Sequence, residues 1–363
     1  MKKISRYIML LVVSFLTFAG CDVHEFPKEG DGLVPFLLHL DFSTEMPLHK
    51  EITYTRSDDD TKSQESAHDV RYIVNAYRTD NVVGESRVPD KTFVFTKDEV
   101  EELDYTARLE LCEGDWTFRV WCDYVDAGSK EDKYYNTSDF SEIILMDRNN
   151  HSGSNDYRDA FRGTASATVL NPAYYTGADA AAIDNQATAS MVRPMGKYKF
   201  VSTDVDVFIT RVMTMMKDRG MLSSELESNQ TFDKLLQSIN LGEYTVMFKY
   251  SAFMPCSYNI FTDKPADSWT NMTYRSRMSI ENDNEMNLGF DYIFVNGAET
   301  TLSISIEVYN KEGELMSSSN PVQVPIVRSK LTLVKGEFLT SIANGGVSVN
   351  PGYDGEDYNI EIL

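Results

Sequence analysis

Hydrophobic and polar residues alternate along most of the chain. Residues 105–111 place Tyr, Ala, Leu and Leu on one side and Thr, Arg and Glu on the other. After the turn at 113–115, the next run repeats this period with Trp116, Phe118, Val120 and Cys122. A period of two on both flanks of a glycine turn predicts a β-hairpin.

Further segments show the same alternation, and polar, Gly, Asn or Asp turns separate them. They predict strands at 33–42, 70–77, 92–95, 141–146, 197–201, 244–250, 290–295, 301–309, 321–327 and 330–334. Many short strands joined by turns are typical of β-sandwiches. The pattern therefore predicts an all-β protein.

Residues 204–239 are the exception, because their apolar residues recur at helical spacing. Gly220 interrupts the pattern and divides the segment in two. We predict a helical insert here, with a methionine-rich stripe that packs against the core. A groove for a partner is the alternative interpretation of that stripe. The apolar positions are Val205, Phe208, Ile209, Val212, Met215, Met216, Leu222, Leu226, Leu235, Leu236 and Ile239.

The first twenty residues have the pattern of an export signal. Lys2, Lys3 and Arg6 precede an apolar run at 7–16 that is too short to span a bilayer. The run ends in Leu16-Thr-Phe-Ala-Gly-Cys21, which resembles the lipobox of bacterial lipoproteins. We predict a signal peptide at 1–20, lipid on Cys21 and a tether at 21–32, with the lipid as the membrane anchor.

Length and charge bound what the anchor carries. Removing Lys2, Lys3 and Arg6 with the signal changes the net charge from −22 to −25. Such an acidic surface repels nucleic acid and anionic headgroups. The mature length favours two domains. We place the boundary after the small-residue stretch 171–190, which gives an N-terminal domain at 33–190 ending in a linker and a C-terminal domain at 191–363.

Three cysteines follow Cys21, namely Cys112, Cys122 and Cys256. An odd number argues against a disulfide framework. Cys112 and Cys122 lie on successive strands at different distances from their turn, too far apart in strand rise for a bridge. We therefore expect buried free thiols.

Catalytic patterns are not found in the sequence. All five histidines lie before residue 152 and none has metal-site spacing. There is no Gly-x-Ser-x-Gly elbow and no glycine-rich phosphate loop. Acidic loops at 58–60, 354–357, Asp263 and Asp267 are interpreted as solubilising charge, with a calcium site as the alternative. We expect no enzyme activity, no cofactor and no metal.

Exposed aromatic residues would point to a different function, glycan binding. The alternation around Trp116 predicts that this residue lies in the core. Trp121 falls on the polar side of the same strand and is the best candidate for a ligand-binding aromatic. Further candidates are Trp269, Tyr174 and Tyr175.

Several segments resemble fimbrillin-like proteins of Bacteroidales. Met191-Val-Arg-Pro-Met-Gly-Lys-Tyr-Lys-Phe200 resembles the start of their second domain, and 324–340 resembles their closing segment. Residues 250–255 and 261–265 fit the same group, and Trp121–Asp126 and Arg158–Phe161 resemble an uncharacterised branch of it. The long insert at 204–239 departs from the family pattern.

The resemblance implies a fold and a function. Family members are similar to type V pilus subunits and anchors, lipoproteins of two transthyretin-like Greek-key β-sandwich domains that assemble by strand donation. We therefore expect a cell-surface fimbrial or fimbria-like subunit at the outer membrane, whose partners are other fimbrial subunits or surface ligands. A lipid-anchored glycan-binding module of a nutrient-uptake system is the alternative.

In fimbrillin-like pilins, an arginine-specific protease removes an N-terminal segment that carries the first strand. Here that strand would be 33–42, and Arg56 precedes the polar run 57–61. Arg56 is therefore a candidate cleavage site. In an uncleaved anchor, the strand would stay in place and Arg56 would only flank a solvated loop.

Overall fold

The computed structural model describes residues 32–45, 68–78, 88–98, 103–220, 239–282, 284–340 and 347–351. We call residues 32–190 the N-terminal half and residues 191–351 the C-terminal half. Strands dominate both halves, and the predicted all-β class is confirmed.

The N-terminal half contains nine described strands and one short α-helix, α1 (Ala178–Ala181). The strands are β1 (Val34–Asp41), β2 (His68–Arg78), β3 (Lys91–Asp98), β4 (Tyr105–Leu111), β5 (Gly114–Asp126), β6 (Tyr135–Asn136), β7 (Ile143–Leu145), β8 (Phe161–Val169) and β9 (Gln186–Ser190).

The C-terminal half contains the longer helix α2 (Val205–Asp218). Its described strands are β10 (Met195–Ser202), β11 (Thr245–Tyr250), β12 (Met254–Pro255), β13 (Ser257–Asn259), β14 (Lys264–Pro265), β15 (Ser268–Trp269), β16 (Thr273–Ser276), β17 (Ser279–Asn282), β18 (Glu285–Phe294), β19 (Glu299–Tyr309), β20 (Leu315–Ser318), β21 (Val322–Val327), β22 (Leu331–Gly336) and β23 (Val347–Pro351). Short 3-10 helices lie at Arg148–Asn150, Asp156–Arg158, Pro172–Tyr174 and Leu241–Glu243.

Two sheets face each other in the N-terminal half. One has the strand order β4-β1-β9 and the other β3-β2-β5-β8. Their inner faces share one apolar cluster, in which the Phe36 and Phe118 rings stack at 5.2 Å. The period-two pattern of the sequence supplies this core directly, because alternate residues of each strand point into it.

Two larger sheets form the C-terminal half. Their strand orders are β17-β18-β10-β22-β23 and β16-β11-β19-β20, and β21 also pairs with β19. Phe200 of β10 meets Phe248 of β11 edge to face at 5.5 Å. Both faces of β10 are covered, since all eight of its residues are buried.

A smaller sheet joins the halves. Its order is β14-β13-β7-β6, so β7 of the N-terminal half pairs with β13 of the C-terminal half. The antiparallel register sets Ile143 opposite Tyr258 and Ile144 opposite Ser257. The backbone of Leu145 also donates a hydrogen bond to the Cys256 carbonyl at 2.8 Å.

Helix α2 is the first part of the predicted helical insert. Val205, Phe208, Ile209 and Val212 are its buried residues, as their spacing predicts. The helix ends just before Gly220, whose φ of 67° is the left-handed geometry that glycine tolerates at a helix end. The rest of the predicted insert lies outside the described residues, apart from buried Ile239. Among the described residues, no helix is both long and apolar enough to cross a bilayer.

The stretch 171–190 differs in part from the predicted linker. Residues 172–174 and 178–181 are short helices, but Gln186–Ser190 form β9, which pairs in parallel with β1 from Leu37 to Asp41. The small side chains of β9 give no hydrophobic periodicity, so the sequence pattern does not reveal this strand. The strand is defined by its backbone hydrogen bonds to β1. The division into domains at 190/191 remains a prediction.

Candidate functional site

Strand β1 lies in the middle of its sheet. It pairs antiparallel with β4 from Val34 to Leu40 and parallel with β9 from Leu37 to Asp41. Both of its edges are therefore hydrogen-bonded. We call the space that β1 occupies between β4 and β9 the β1 groove.

Alternate side chains of β1 fill the sandwich core. The inward residues are Val34, Phe36, Leu38 and Leu40, followed by Phe42, and none is more than 6% exposed. On the outer face, the His39 ring nitrogens lie 2.9 Å from Thr106 Oγ1 and 3.1 Å from Gln186 Oε1. One histidine thus links all three strands of the sheet.

A tight turn at the end of β1 directs Glu45 toward the C-terminal half. The Glu45 backbone N–H donates to the Phe42 carbonyl at 2.9 Å. Arg193 Nη1 donates to the Glu45 carboxylate at 3.1 Å, and Ser329 Oγ donates to it at 2.8 Å. The first strand is therefore fastened to residues that follow the predicted domain boundary.

Arg193 is held by more than Glu45. Its Nε and Nη2 donate to Asp159 at 2.8 to 3.0 Å, and its guanidinium lies 4.5 Å from the centre of the Phe161 ring. The Arg193 side chain is only 2% exposed. Arg193 belongs to the Arg-Pro segment and Asp159 to Arg158–Phe161, so two segments that carry the family resemblance meet here.

A second buried cluster joins the halves around Asp291 of β18. His151 Nε2 lies 2.6 Å from its carboxylate, Arg158 Nη1 donates to it, and Tyr250 donates to it at 2.5 Å. Tyr198 lies 2.8 Å from the Tyr250 hydroxyl. Burial on its own raises the pKa of Asp291, but the Arg158 guanidinium and the His151 ring outweigh burial and hold this pKa below its ordinary value.

Asp263 forms a third polar contact between the halves. Arg162 of β8 lies 2.7 Å from its carboxylate and Arg328 donates to it at 2.8 Å. Tyr258 also donates to this carboxylate. Two guanidinium groups contact the carboxylate oxygens of Asp263, so this residue takes part in a contact between the halves and is more than the solubilising charge that we predicted. Within the described ranges, no group of three or more His, Cys, Asp or Glu side chains is arranged to hold a metal.

The prediction that Trp121 is an exposed, ligand-binding aromatic is wrong. Its side chain is 0% exposed. It meets Tyr135 edge to face at 5.5 Å, lies 6.4 Å from the Tyr258 ring, and donates to Asp123 at 3.1 Å. Both faces of β5 are covered at this point, one by the sandwich core and the other by the C-terminal half, so the polar side of the strand is not a solvent side.

Trp116 is in the core, as predicted, at 2% exposed. Its indole N–H donates to the Cys112 carbonyl at 3.0 Å. The other aromatic candidates do not form one surface site. Tyr174 is 71% exposed on a loop of the N-terminal half, whereas Trp269 is half-buried in β15 with the Arg148 guanidinium 5.7 Å from its ring centre.

The three described cysteines are free, as predicted. Cys122 and Cys256 are buried, and Cys112 is partly exposed. Burial raises the pKa of the Cys122 thiol and raises that of Cys256 to about 12. Thiols of this kind stay protonated and pack as small apolar groups.

A cavity of about 220 Å³ lies beside α2. Its apolar wall comes from Val212, Met215, Met216 and Met316, so part of the methionine-rich stripe faces this space, while the described residues of the stripe also pack on the core. The charged groups at its rim are paired, with Arg219 donating to Glu314 at 2.9 Å and Lys311 lying 3.4 Å from Glu243.

Cys21 and Arg56 lie outside the described residues. Sequence reasoning missed Glu45, Asp159 and Asp291 as contacts between the halves. The only signal was indirect, since Asp159 and Arg193 stand inside segments that resemble the family, and partners so distant in sequence have no spacing rule.

Residues 36–362 match a family of unknown function, DUF6562. The chain belongs to this family. A comparison with curated proteins finds no match.

Solved structures that are similar to the chain include the following three. The fimbrial anchor protein Mfa2 from Porphyromonas gingivalis is 10% identical, with a TM-score of 0.39 over 90% of this chain and 99% of that one. A candidate cell adhesion protein from Bacteroides eggerthii is 12% identical, with a TM-score of 0.43 over 88% and 96%. A candidate polysaccharide-binding protein (DUF1812) from Bacteroides thetaiotaomicron is 9% identical, with a TM-score of 0.37 over 82% and 91%. Fimbrial proteins are the group that the sequence motifs resemble.

Proposed function

We propose that this protein is a cell-surface lipoprotein that acts as a fimbrial or fimbria-like structural and adhesive subunit and assembles by β-strand donation. Each half would be a transthyretin-like Greek-key β-sandwich. The observation that carries the proposal is the position of β1, the first described strand, between β4 and β9 with its alternate side chains in the core.

The β1 groove has the properties that strand donation needs. Without β1, two strand edges would face each other with unpaired backbone groups, and the core would open along the same line. An extended segment from another subunit would satisfy those backbone groups, and its alternate side chains would fill the pockets of Phe36, Leu38 and Leu40. Because β1 precedes the other described strands along the chain, its removal breaks no connection between them.

The lipid anchor is part of the same proposal. Cleavage of the signal at 1–20 and acylation of Cys21 would leave the tether 21–32 between the outer membrane and β1. Cys21→Ala should abolish lipid labelling and release the protein or stall the precursor, because no other residue offers the acylation site. Persistent labelling of that variant in metabolically labelled cells would overturn the anchor.

The mature N-terminus tests strand donation. Mass spectrometry of the native surface protein should find Ser57 as the N-terminus if cleavage after Arg56 removes β1 and allows polymerisation. An intact lipidated Cys21 as the sole N-terminus would instead make the protein a basal or stand-alone surface subunit. The two outcomes separate a polymerising subunit from an anchor.

The glycan-binding alternative loses its main candidate with the burial of Trp121. Tyr174 and Trp269 are too differently placed to form a stacking platform together, and the charged rim of the cavity beside α2 is already paired. No observation favours this second function, so we do not propose it.

A further inference from the structure

Glu45 is an acidic residue that is buried just after the end of a core strand, β1. Its side chain is 6% exposed, although the core of its own sandwich is apolar. Both groups that bind its carboxylate, Arg193 and Ser329, belong to the C-terminal half. A buried carboxylate is retained only where donors compensate for the loss of water.

The two donors are held in place by residues outside β1. Three of the Arg193 hydrogen bonds go to Asp159, and Nη1 donates to Glu45. Ser329 has a left-handed φ of 59°, and its backbone N–H donates to the Met195 carbonyl at 2.9 Å. The Arg193 side chain and the Ser329 backbone are therefore each held by contacts that do not involve Glu45.

We propose that Arg193 and Ser329 form a carboxylate-binding site that recognises the strand lying in the β1 groove. Its ligand is an acidic side chain three positions after the last core-facing residue, the spacing of Phe42 and Glu45. In the intact chain this ligand is Glu45. A strand that arrives from another subunit would need alternating apolar residues, a turn and then a carboxylate. This extension to another subunit rests on the proposed function.

This site adds a second requirement for a strand that binds in the β1 groove, beyond the alternation of its apolar residues. Alternating apolar residues also occur in other described strands, such as β4, β19 and β21, so the core pockets alone discriminate weakly between strands. A charge-assisted hydrogen bond to a buried guanidinium is stronger and more directional than an apolar contact. It also fixes register, because a shift by one residue moves the carboxylate away from Arg193.

The first experiment uses the intact mature chain and compares Glu45→Gln with Asp41→Asn. Both variants remove one negative charge near the end of β1, but the Asp41 carboxylate accepts from its neighbour Ser43, from the backbone N–H at 2.9 Å and from the side chain, and from no described residue of the C-terminal half. Hydrogen exchange is followed at the Met191 amide, which donates to the Asp41 carbonyl at 2.8 Å. Glu45→Gln should speed this exchange about tenfold, as expected for one charge-assisted hydrogen bond.

Ser329→Ala removes the other donor and should also speed exchange at Met191. Asp41→Asn should change the rate by less than about twofold, because exposed charges contribute little. Equal exchange in Glu45→Gln and Asp41→Asn would overturn the proposed site. This result does not depend on whether β1 is ever released.

The second experiment tests the site on an incoming strand. A sequence-specific protease site is inserted after Arg56, the full chain is cut there, and a labelled peptide of residues 33–46 is offered in excess. The native and Asp41→Asn peptides should replace β1 equally, and the Glu45→Gln peptide about tenfold less well. Equal replacement of β1 by all three peptides would overturn the proposal that the site recognises the incoming strand. Failure of every peptide to enter would contradict strand donation while leaving the exchange result at Met191 to decide the site.

Discussion

Trp116 and Trp121 stand on opposite sides of β5, and both are buried. Alternation correctly assigned Trp116 to the sandwich core. It failed for Trp121 because the second face of the strand meets the C-terminal half instead of water. At the residue scale, periodicity shows which side chains share a face, but it does not show what covers that face.

Trp116→Ala should lower the free energy of unfolding by about 3–5 kcal/mol, because it leaves a cavity and an unpaired Cys112 carbonyl. Urea unfolding followed by tyrosine fluorescence or circular dichroism measures the change. Tyr174→Ala is the control. Because Tyr174 is 71% exposed, this variant should unfold at the same urea concentration as the native chain. An unchanged midpoint for Trp116→Ala would contradict the register of β5.

Asp291→Asn should destabilise the protein by about 3–5 kcal/mol near neutral pH, because it leaves Arg158 buried without its charge partner. The pKa of Asp291 is lowered in the folded chain, so its contribution is present above the unfolded value of about 3.9 and is lost as the pH falls through the folded value. The native chain should therefore lose stability below about pH 4 more steeply than the Asn variant.

Urea midpoints between pH 7 and pH 2.5 would check both parts of this prediction. Asp184→Asn serves as the matched control, because Asp184 is exposed and accepts only from Gln186. A native and an Asp291→Asn curve that stay parallel in acid would show that Asp291 does not carry the pH dependence.

At the scale of elements, most strands and the start of α2 follow from the sequence. Strong alternation located β1, β2, β4 and β5, and helical spacing located α2 up to Gly220. Strand β9 was missed, because Ala187 and Ala189 give little hydrophobic contrast. Its identity depends on pairing with β1, whose residues are far away in sequence.

Two positions require glycine for different physical reasons, Gly196 of β10 and Gly220 after α2. A Cβ atom at Gly196 would lie 2.2 Å from the Val327 carbonyl oxygen, so β10 and β21 would have to separate. A Cβ at Gly220 would meet no atom of the described residues within 4 Å, and the difficulty that remains among them is the φ of 67°. Gly220→Ala should therefore cost about 1–2 kcal/mol, and Gly196→Ala considerably more.

Denaturant unfolding of the two variants measures this difference, and near-ultraviolet circular dichroism reports whether the aromatic core of the C-terminal half is intact. Gly220→Ala should retain the native spectrum. Gly196→Ala with the same stability as Gly220→Ala would show that β21 does not approach β10 as closely as described.

At the scale of the whole molecule, the two halves share structure. The β7–β13 pairing, the Asp291 cluster and the Asp159–Arg193 ion pair all cross the predicted boundary at 190/191. A charged group that loses its partner in a buried site is costly. Each half on its own would expose or orphan several such groups.

Residues 33–190 and 191–363 expressed separately should therefore be less stable than the joined chain, and mixing them should restore stability. Thermal unfolding of each piece and of the mixture tests this expectation. The Asp291→Asn change in the C-terminal piece should weaken reassociation, whereas Asp267→Asn, at a position where the carboxylate accepts from the next backbone N–H, should not. Two pieces that each melt at the temperature of the intact chain would establish independent domains.

The sequence by itself determined the all-β class, the strand faces, the start of the helical insert and the free state of the described cysteines. These features depend on local periodicity and composition, which neighbouring residues encode. Tertiary structure decided the burial of Trp121, the strand β9, the sheet shared by the halves and the contacts of Glu45, Asp159 and Asp291. Each of those depends on partners that are distant along the chain, and no local pattern specifies which buried charge will meet which.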